Sequence, residues 1–502
     1  MILQRQKPIN IWGSCDEDTR ITVRLLGQEV SADSKEGTWS VTLPAMEACE
    51  NTVLEILANG VHLTISDVAI GEVWLAGGQS NMEFYLRYDA ERKEATGNLK
   101  IRMFDCPKIS YEGQFEAGDY SEFGFWRTCD EENLDYFTAV GYYFAIRLEQ
   151  QYHIPVGIIG CNWGGTPACA WMDPAYLSDN DGAVWLTDYE KGLVSLDLEK
   201  YNEEFVKNPD NYRGKPFENK FLEAMMFGLS EEERKALFKS FSTLGEAALP
   251  VIGPKSEKRP GGLYETMLKE LIPYTFRGAI WYQGENDDEK PEIYHTVLSS
   301  LIRCWRDQWL EEFPFLFVQL APFRYWAEAG RGIYPILRKE QEWVSKHVSN
   351  TWMASIMDAG MEFDIHPKEK KPVGERLALL ARGHVYGDNI LCDAPECTGM
   401  TVEEGKIILK FINVGYGLNI KGDTLQALEI TINDRLLKDY QTEQNAGQLM
   451  VYSKEIHKTD FISVNFAETD YCEVNLYNTA NLPVKPFTFH YETVTSVKSG
   501  KR

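Results

Sequence analysis

Gly78-Gln79-Ser80-Asn81-Met82 follows the apolar run Val73-Trp74-Leu75-Ala76 and the small Gly77. A buried strand that ends here in a tight turn projects the Ser80 hydroxyl from the rim of a sheet. Backbone N–H groups behind it then face the place where an ester's oxyanion forms. A serine in such a turn also suits a helix cap, so a catalytic role depends on partners elsewhere in the chain. The chain has eight histidines, and His366 lies in Met361-Glu362-Phe363-Asp364-Ile365-His366-Pro367. In an extended segment, side chains two apart leave the backbone on the same side. Asp364 can therefore reach the His366 imidazole and hold the tautomer whose other nitrogen faces Ser80. Asp358 is the rival acid. Met82 stands where the Gly-x-Ser-x-Gly elbow would have its second glycine, so the turn is of another kind.

Two further segments supply oxyanion donors. Val156-Gly157-Ile158-Ile159-Gly160 reads as a buried strand followed by the glycine turn Cys161-Asn162-Trp163-Gly164-Gly165-Thr166. Glycine there lets a backbone N–H approach a substrate closely. Phe276-Arg277-Gly278-Ala279-Ile280-Trp281-Tyr282 reads as a second strand, ending in Gln283-Gly284-Glu285-Asn286-Asp287. A side-chain amide at that end can donate to the oxyanion, and losing one such donor costs about 3–4 kcal/mol of transition-state stabilisation. Of the aromatics beside these blocks, Trp281 is expected in the core, because strand residues alternate faces. Trp163, in the turn, is the expected sugar contact, with Gln79 beside the serine as a second substrate-binding residue.

The four segments resemble those of the SGNH hydrolases, and within them the sialate O-acetylesterase group of carbohydrate esterases. The opening Leu3-Gln4-Arg5-Gln6-Lys7-Pro8-Ile9-Asn10-Ile11-Trp12-Gly13 is similar to that group, as are Gly262-Leu263-Tyr264-Glu265-Thr266-Met267 and Leu337-Arg338-Lys339-Glu340-Gln341. So are Phe317-Val318-Gln319-Leu320-Ala321-Pro322-Phe323 and the closing Leu482-Pro483-Val484-Lys485-Pro486-Phe487. The resemblance implies an α/β fold, a three-layer α/β/α arrangement with a parallel sheet, flanked by N- and C-terminal β domains. It implies Ser80 as nucleophile, His366 as general base and Asp364 as its partner. Gly164 or Gly165 matches the oxyanion glycine, alongside the N–H of Ser80. Gly284-Glu285-Asn286-Asp287 satisfies the superfamily's third block, which makes Asn286 the oxyanion amide. Members of this particular group more often use Gln-Gly-Glu, which makes it Gln283. The implied activity is O-deacetylation of sugars through an acetyl-enzyme, with no metal and no organic cofactor. The sugar, sialic acid or a plant oligosaccharide, stays open. The rival reading is a catalytically silent glycan-binding protein that keeps the fold.

Composition agrees with a large globular enzyme. A length of 502 residues exceeds one ordinary core and suggests two to four domains. The formal net charge of −25 disfavours nucleic acid and anionic membranes as partners, whereas neutral acetylated sugars fit it. Self-association, a homo-oligomer included, stays open. No run of about 18 apolar residues suggests a membrane span, and no signal-peptide pattern opens the sequence. The expected location is cytoplasmic, or secreted if a signal peptide has been removed. Ten cysteines are scattered without Cys-x-x-Cys spacing, so free buried thiols are expected rather than a zinc site or a disulfide framework.

Patterning divides the chain into three expected parts. Residues 1–68 alternate apolar and polar, as in Ile21-Thr22-Val23-Arg24-Leu25, and read as a small antiparallel β domain. Residues 69–389 alternate strands with helical patterns, 137–152 among them, and read as the catalytic α/β layer. That layer carries a charged helical insertion around 176–260, with a helical period over 230–241, acting as a lid or as decoration. Residues 390–502 return to short β patterns, such as Lys406-Ile407-Ile408-Leu409-Lys410-Phe411, and read as a β-sandwich.

Overall fold

Alternating apolar residues over the first sixty positions form short strands with one face inward. The computed structural model describes residues 1–207, 214–218, 232–233, 252–324 and 331–492. The chain opens with β1 (Ile2–Gln4), β2 (Ile9–Ser14), β3 (Arg20–Leu25), β4 (Gln28–Asp33), β5 (Thr38–Leu43) and β6 (Cys49–Ala58). Ile21, Val23 and Leu25 on β3 and Val41 and Leu43 on β5 enter one small core with Leu54, Val68 and Ile70. Strand β3 pairs antiparallel with β4 and β6, and β2 with β5.

The boundary expected at residue 68 falls inside a strand. β7 runs without a break from Val61 to Gly78. Its first half pairs antiparallel with β6, and a positive φ of 54° at Asp67 marks where its surroundings change. From Val68 onward every residue is buried. The buried stretch from Val68 to Ala76 contains no proline or turn pair that could stop the strand, so it continues into the central sheet.

That sheet adds β8 (Asn98–Asp105), β9 (Trp126–Cys129), β10 (Val156–Asn162), β11 (Gly278–Tyr282) and β12 (Phe315–Val318). The spatial order is β12-β11-β7-β10-β8-β9. The first five are parallel to their neighbours, and β9 closes the edge antiparallel. β10, β11 and β12 are buried along their whole length, as strands covered on both faces must be. The expected α/β class with a parallel sheet, with antiparallel β parts toward both ends of the chain, is what the structure shows. The helix expected over 137–152 spans Ala139–Tyr152, because the Thr138 side chain caps it by accepting the Gly141 N–H. In the insertion, helices occupy Ala183–Val194 and Leu198–Lys207. The period expected over 230–241 lies outside the described residues, apart from 232 and 233.

Glu72 on β7 anchors the first strands to the sheet. Its fully buried carboxylate accepts from Arg5 Nε at 2.6 Å and from Arg277 Nε at 2.8 Å and Nη2 at 3.0 Å. Gln4 Nε2 adds a bond of 3.2 Å. Burial pushes the carboxyl up, but Arg277 and Arg5 together outweigh it and hold the group below the usual range. Removing the acid takes from two half-buried guanidinium groups the carboxylate they share. Glu72→Ala is therefore expected to cost about 3–5 kcal/mol in urea unfolding; a loss below about 1 kcal/mol would rule out this anchoring role.

Internal packing divides the chain into two units. One comprises Met1–Val318, Glu340–Trp352 and Lys368–Ala378; the other comprises Gln319–Lys339, Met353–Pro367 and Leu379–Arg502. In the second, a four-stranded antiparallel sheet built on Glu396–Glu403 and Lys406–Ile412 shares one core with another built on Leu428–Ile432 and Ile462–Phe466. Two earlier stretches, around 320 and 360, pack with this unit instead of falling in one body with the sheet as expected for 69–389. Buried Arg338 shows why: its guanidinium donates to the carbonyls of Leu320 at 3.0 Å, Thr469 at 2.7 Å and Asp470 at 2.8 Å. All ten cysteines are free thiols. Among the described residues no helix is long and apolar enough to cross a membrane.

Candidate active site

The chain leaves β7 to build β8 and β10 on one side, then crosses over to build β11 and β12 on the other. β7 is thus the strand from which the connections part, and the carboxyl end of such a strand is where open α/β sheets bind ligands. Registers align the three strand ends: Gly78 stands opposite Asn162 on β10 and opposite Tyr282 on β11. The turns after these strands therefore start at one level, and they carry Ser80, Gly164-Gly165 and Gln283–Asn286. Backbone bonds extend the ladders past the strand ends, from Gln79 N–H to the Tyr282 carbonyl and from Trp163 N–H to the Gly78 carbonyl, each 3.1 Å.

Gly78 makes the close approach possible. Its φ is +136°, and a Cβ there would sit 2.1 Å from the Tyr282 carbonyl oxygen. The chain then enters a single helical turn, Ser80–Glu83, all four residues buried. The Gln79 side-chain oxygen accepts the N–H groups of Asn286 at 3.2 Å and Gly284 at 3.5 Å, so Gln79 clasps the first turn to the third. Asn81 continues the clasp: its Nδ2 donates to Glu285 Oε1 and its Oδ1 accepts from buried Lys370, each at 2.5 Å. Burial pushes the Glu285 carboxyl up, opposed by Asn81 and Lys370.

Several expected donors are already committed. A Cβ on Gly164 would lie 3.1 Å from Ser80 Cβ, so this backbone passes beside the serine. The Gly164 N–H, however, donates to Glu83 Oε2 at 2.6 Å. Gln283 Nε2 donates to the Thr166 carbonyl at 3.1 Å and to Asp287 Oδ2 at 2.5 Å, while its oxygen accepts from Tyr294. The Gln283 amide thus faces inward as a brace. Gly165 takes φ +75°, and Asn286 is half-buried with its backbone held by Gln79. Trp163, expected at the surface, is 1% exposed. Its N–H bond to Gly78 prolongs β10 by a residue and turns the ring into the core.

Three buried charges behind the serine were not anticipated. Glu83, 2% exposed, lies 3.8 Å from Lys108 Nζ, which lies 3.9 Å from Asp105 and donates to the Asn162 carbonyl at 3.0 Å. Burial raises the Asp105 carboxyl to about 6, against Lys108 and with help from the Glu83 charge. The only sequence signal for Glu83 is its spacing, three residues after Ser80 on one helical face. Lys108 has no such signal.

Asp287 titrates in a useful range. Burial pushes it up to about 7, against bonds from Gln283 and the Ala168 N–H. Between about pH 4 and 7 the unfolded chain has lost this proton and the folded chain keeps it. Stability therefore falls as pH rises through that window and levels off above it. Asp287→Asn removes the effect, so the variant should gain on wild type by roughly 2–4 kcal/mol between pH 4.5 and 7.5 in urea unfolding. A constant gap would mean that Asp287 is already ionised at the lower pH.

The second unit holds the Asp364–His366 segment. Asp364 and His366 are 1% and 5% exposed, and Asp364 Oδ1 accepts the backbone N–H of His366 at 3.0 Å. The carboxylate thus fixes the turn that presents the imidazole. Asp358 is less buried than Asp364.

Sialate O-acetylesterase of Rattus norvegicus is 27% identical to this chain over 431 residues, covering 78% of the chain and 73% of the rat protein. The Homo sapiens sialate O-acetylesterase is 26% identical over 440 residues, covering 79% and 71%. The crystal structure of a carbohydrate acetylesterase from Xanthomonas citri matches with a TM-score of 0.73 and 28% identity, over 97% of this chain and 96% of that one. The chain is sialate O-acetylesterase-like. No family model matches it. For a sialate O-acetylesterase-like chain, the convergence of the Ser80, Gly164-Gly165 and Gln283–Asn286 turns marks the place to look for ester chemistry.

Proposed function

We propose that this chain is a carbohydrate O-acetylesterase of the SGNH type, working through Ser80, His366 and Asp364. The alignment of three strand ends around Ser80 at the crossover of the sheet carries the reading. The names of its relatives support the substrate class. His366 takes the Ser80 proton as Oγ attacks the acetyl carbonyl, and Asp364 holds the histidine segment. The oxyanion accepts from the Ser80 and Gly165 N–H groups and from the Asn286 amide. Gly164 and Gln283 are the weaker candidates, because Glu83 and Asp287 already hold their donors. The intermediate collapses, His366 returns the proton to the departing sugar oxygen, and an acetyl group remains on Ser80. Water activated by His366 then releases acetate.

The test is acetate release from 9-O-acetylated sialic acid and, separately, from acetylated xylo- and manno-oligosaccharides. Longer acyl esters serve as a third arm. Release from one sugar class, falling steeply as the acyl chain lengthens, supports the proposal and selects the substrate. Faster cleavage of long acyl esters would make the protein a lipase-like esterase. No release from any substrate would favour a silent glycan-binding protein.

A further inference from the structure

Among the described residues outside the serine site, one cluster brings three different metal-ligating side chains to one point. His384 lies on the turn Ala381–Val385, and Cys392 and Asp393 follow on the next loop. His384 Nε2 is 3.4 Å from Cys392 Sγ, and 2.9 and 3.1 Å from the two Asp393 carboxylate oxygens. Cys392 Sγ is 3.8 Å from Asp393 Oδ2. Metal–ligand lengths of about 2.3 Å for sulfur and about 2.0–2.2 Å for nitrogen and oxygen, at tetrahedral angles, separate neighbouring donors by about 3.4–3.6 Å. The four observed distances, from 2.9 to 3.8 Å, bracket that range. The fold has made room for this approach, since a Cβ on Gly383 would lie 2.3 Å from the Cys392 sulfur. Two hydrogen bonds close the loop: the Asp388 N–H donates to the Arg382 carbonyl at 2.9 Å, and the Asn478 side-chain Nδ2 to the Asp393 carbonyl at 3.2 Å.

The arrangement does not suit nucleophilic catalysis. In a cysteine–histidine–aspartate relay the acid and the thiol contact opposite nitrogens of the ring. Here both face Nε2. Three donors converging on one side is the geometry of a cation's ligands. We propose that His384 Nε2, Cys392 Sγ and one Asp393 oxygen bind a thiophilic divalent cation such as Zn²⁺, with water as fourth ligand. Binding forms a metal–sulfur bond and releases the thiol proton to solvent. Cys392 is 7% exposed, whereas the His384 and Asp393 side chains keep 25% and 38% of their surface, which leaves an entry path. The cation fastens the turn after the helix Lys371–Leu380 to the loop that leads into the first β-strand of the second unit. The spacing, seven residues and then adjacent ligands, matches no Cys-x-x-Cys pattern, so no local signal marks it.

The test is titration of the chelator-treated full chain with Co²⁺ and Zn²⁺. One ion per chain is expected, with a near-ultraviolet thiolate-to-cobalt charge-transfer band that Zn²⁺ abolishes. Cys392→Ser should remove the band, and Asp393→Asn should weaken binding at least tenfold. Gly383→Ala, which displaces the sulfur, should weaken it as well, while Cys15→Ser should leave it unchanged. Circular dichroism checks that each variant is folded. No thiolate band in the wild type, or a band of equal strength in folded Cys392→Ser, would overturn the site.

Discussion

Ser80→Ala is expected to reduce acetate release by about 10⁴-fold or more, the loss typical of removing the nucleophile of a serine hydrolase. The change deletes one oxygen from a buried residue and leaves the Gln79 clasp and the Asn81–Glu285 bond in place. Stability should therefore change little, and circular dichroism and unfolding curves should overlay those of wild type. A second readout is independent of turnover rate. Wild type quenched early with an activated acetyl ester should carry an acetyl group on the peptide that contains residue 80, and the variant should not. Full activity in Ser80→Ala would move the nucleophile elsewhere. Lost activity with an acetylated peptide elsewhere in the chain would reduce Ser80 to a positioning role.

The second large effect concerns a residue with no side chain. Gly78→Ala places a methyl 2.1 Å from the Tyr282 carbonyl oxygen, at a φ of +136° that L residues rarely adopt. Backbone strain and the forced separation of β7 from β11 add to about 3–5 kcal/mol. Unlike Glu72→Ala, which loosens β7 six residues before its end, this change moves the turn that presents Ser80. The expected result is a lower urea midpoint together with loss of most activity in the fraction that stays folded, measured as rate per mole of folded protein. A variant of wild-type stability and rate would show that the close approach at Gly78 is not needed to place the serine.

What could be read without a structure follows from local patterns. Val73 to Ala76, Val156 to Gly160 and Gly278 to Tyr282 are apolar runs with a glycine within the next four residues, and each is a buried strand whose end lies level with the others. What could not be read depends on tertiary partners. Nothing local to Gly164 says that its N–H meets Glu83, since the two lie 81 positions apart. Gln283 and Asn286 look equivalent as amides until Thr166 and Asp287 claim the first. Trp163 is buried rather than on the surface because one hydrogen bond to Gly78 extends the strand a residue toward its glycine turn. The boundary at residue 68 rested on a change of pattern, and β7 carries both patterns on one strand.

That strand bears on how such a protein could be rearranged by recombination or by engineering. By pattern alone, residues 1–68 look like a cassette to be cut off and joined to another enzyme. A cut there would sever an 18-residue strand near its middle, strip Ile70 from the small core, and leave Glu72 without Arg5. The practical crossover points lie in loops beyond Gly78, so a transplanted leading segment would have to take the nucleophile's own strand with it. Chimeras joined near residue 68 should be recovered as insoluble protein, and shuffled libraries should be depleted of breakpoints between residues 61 and 78.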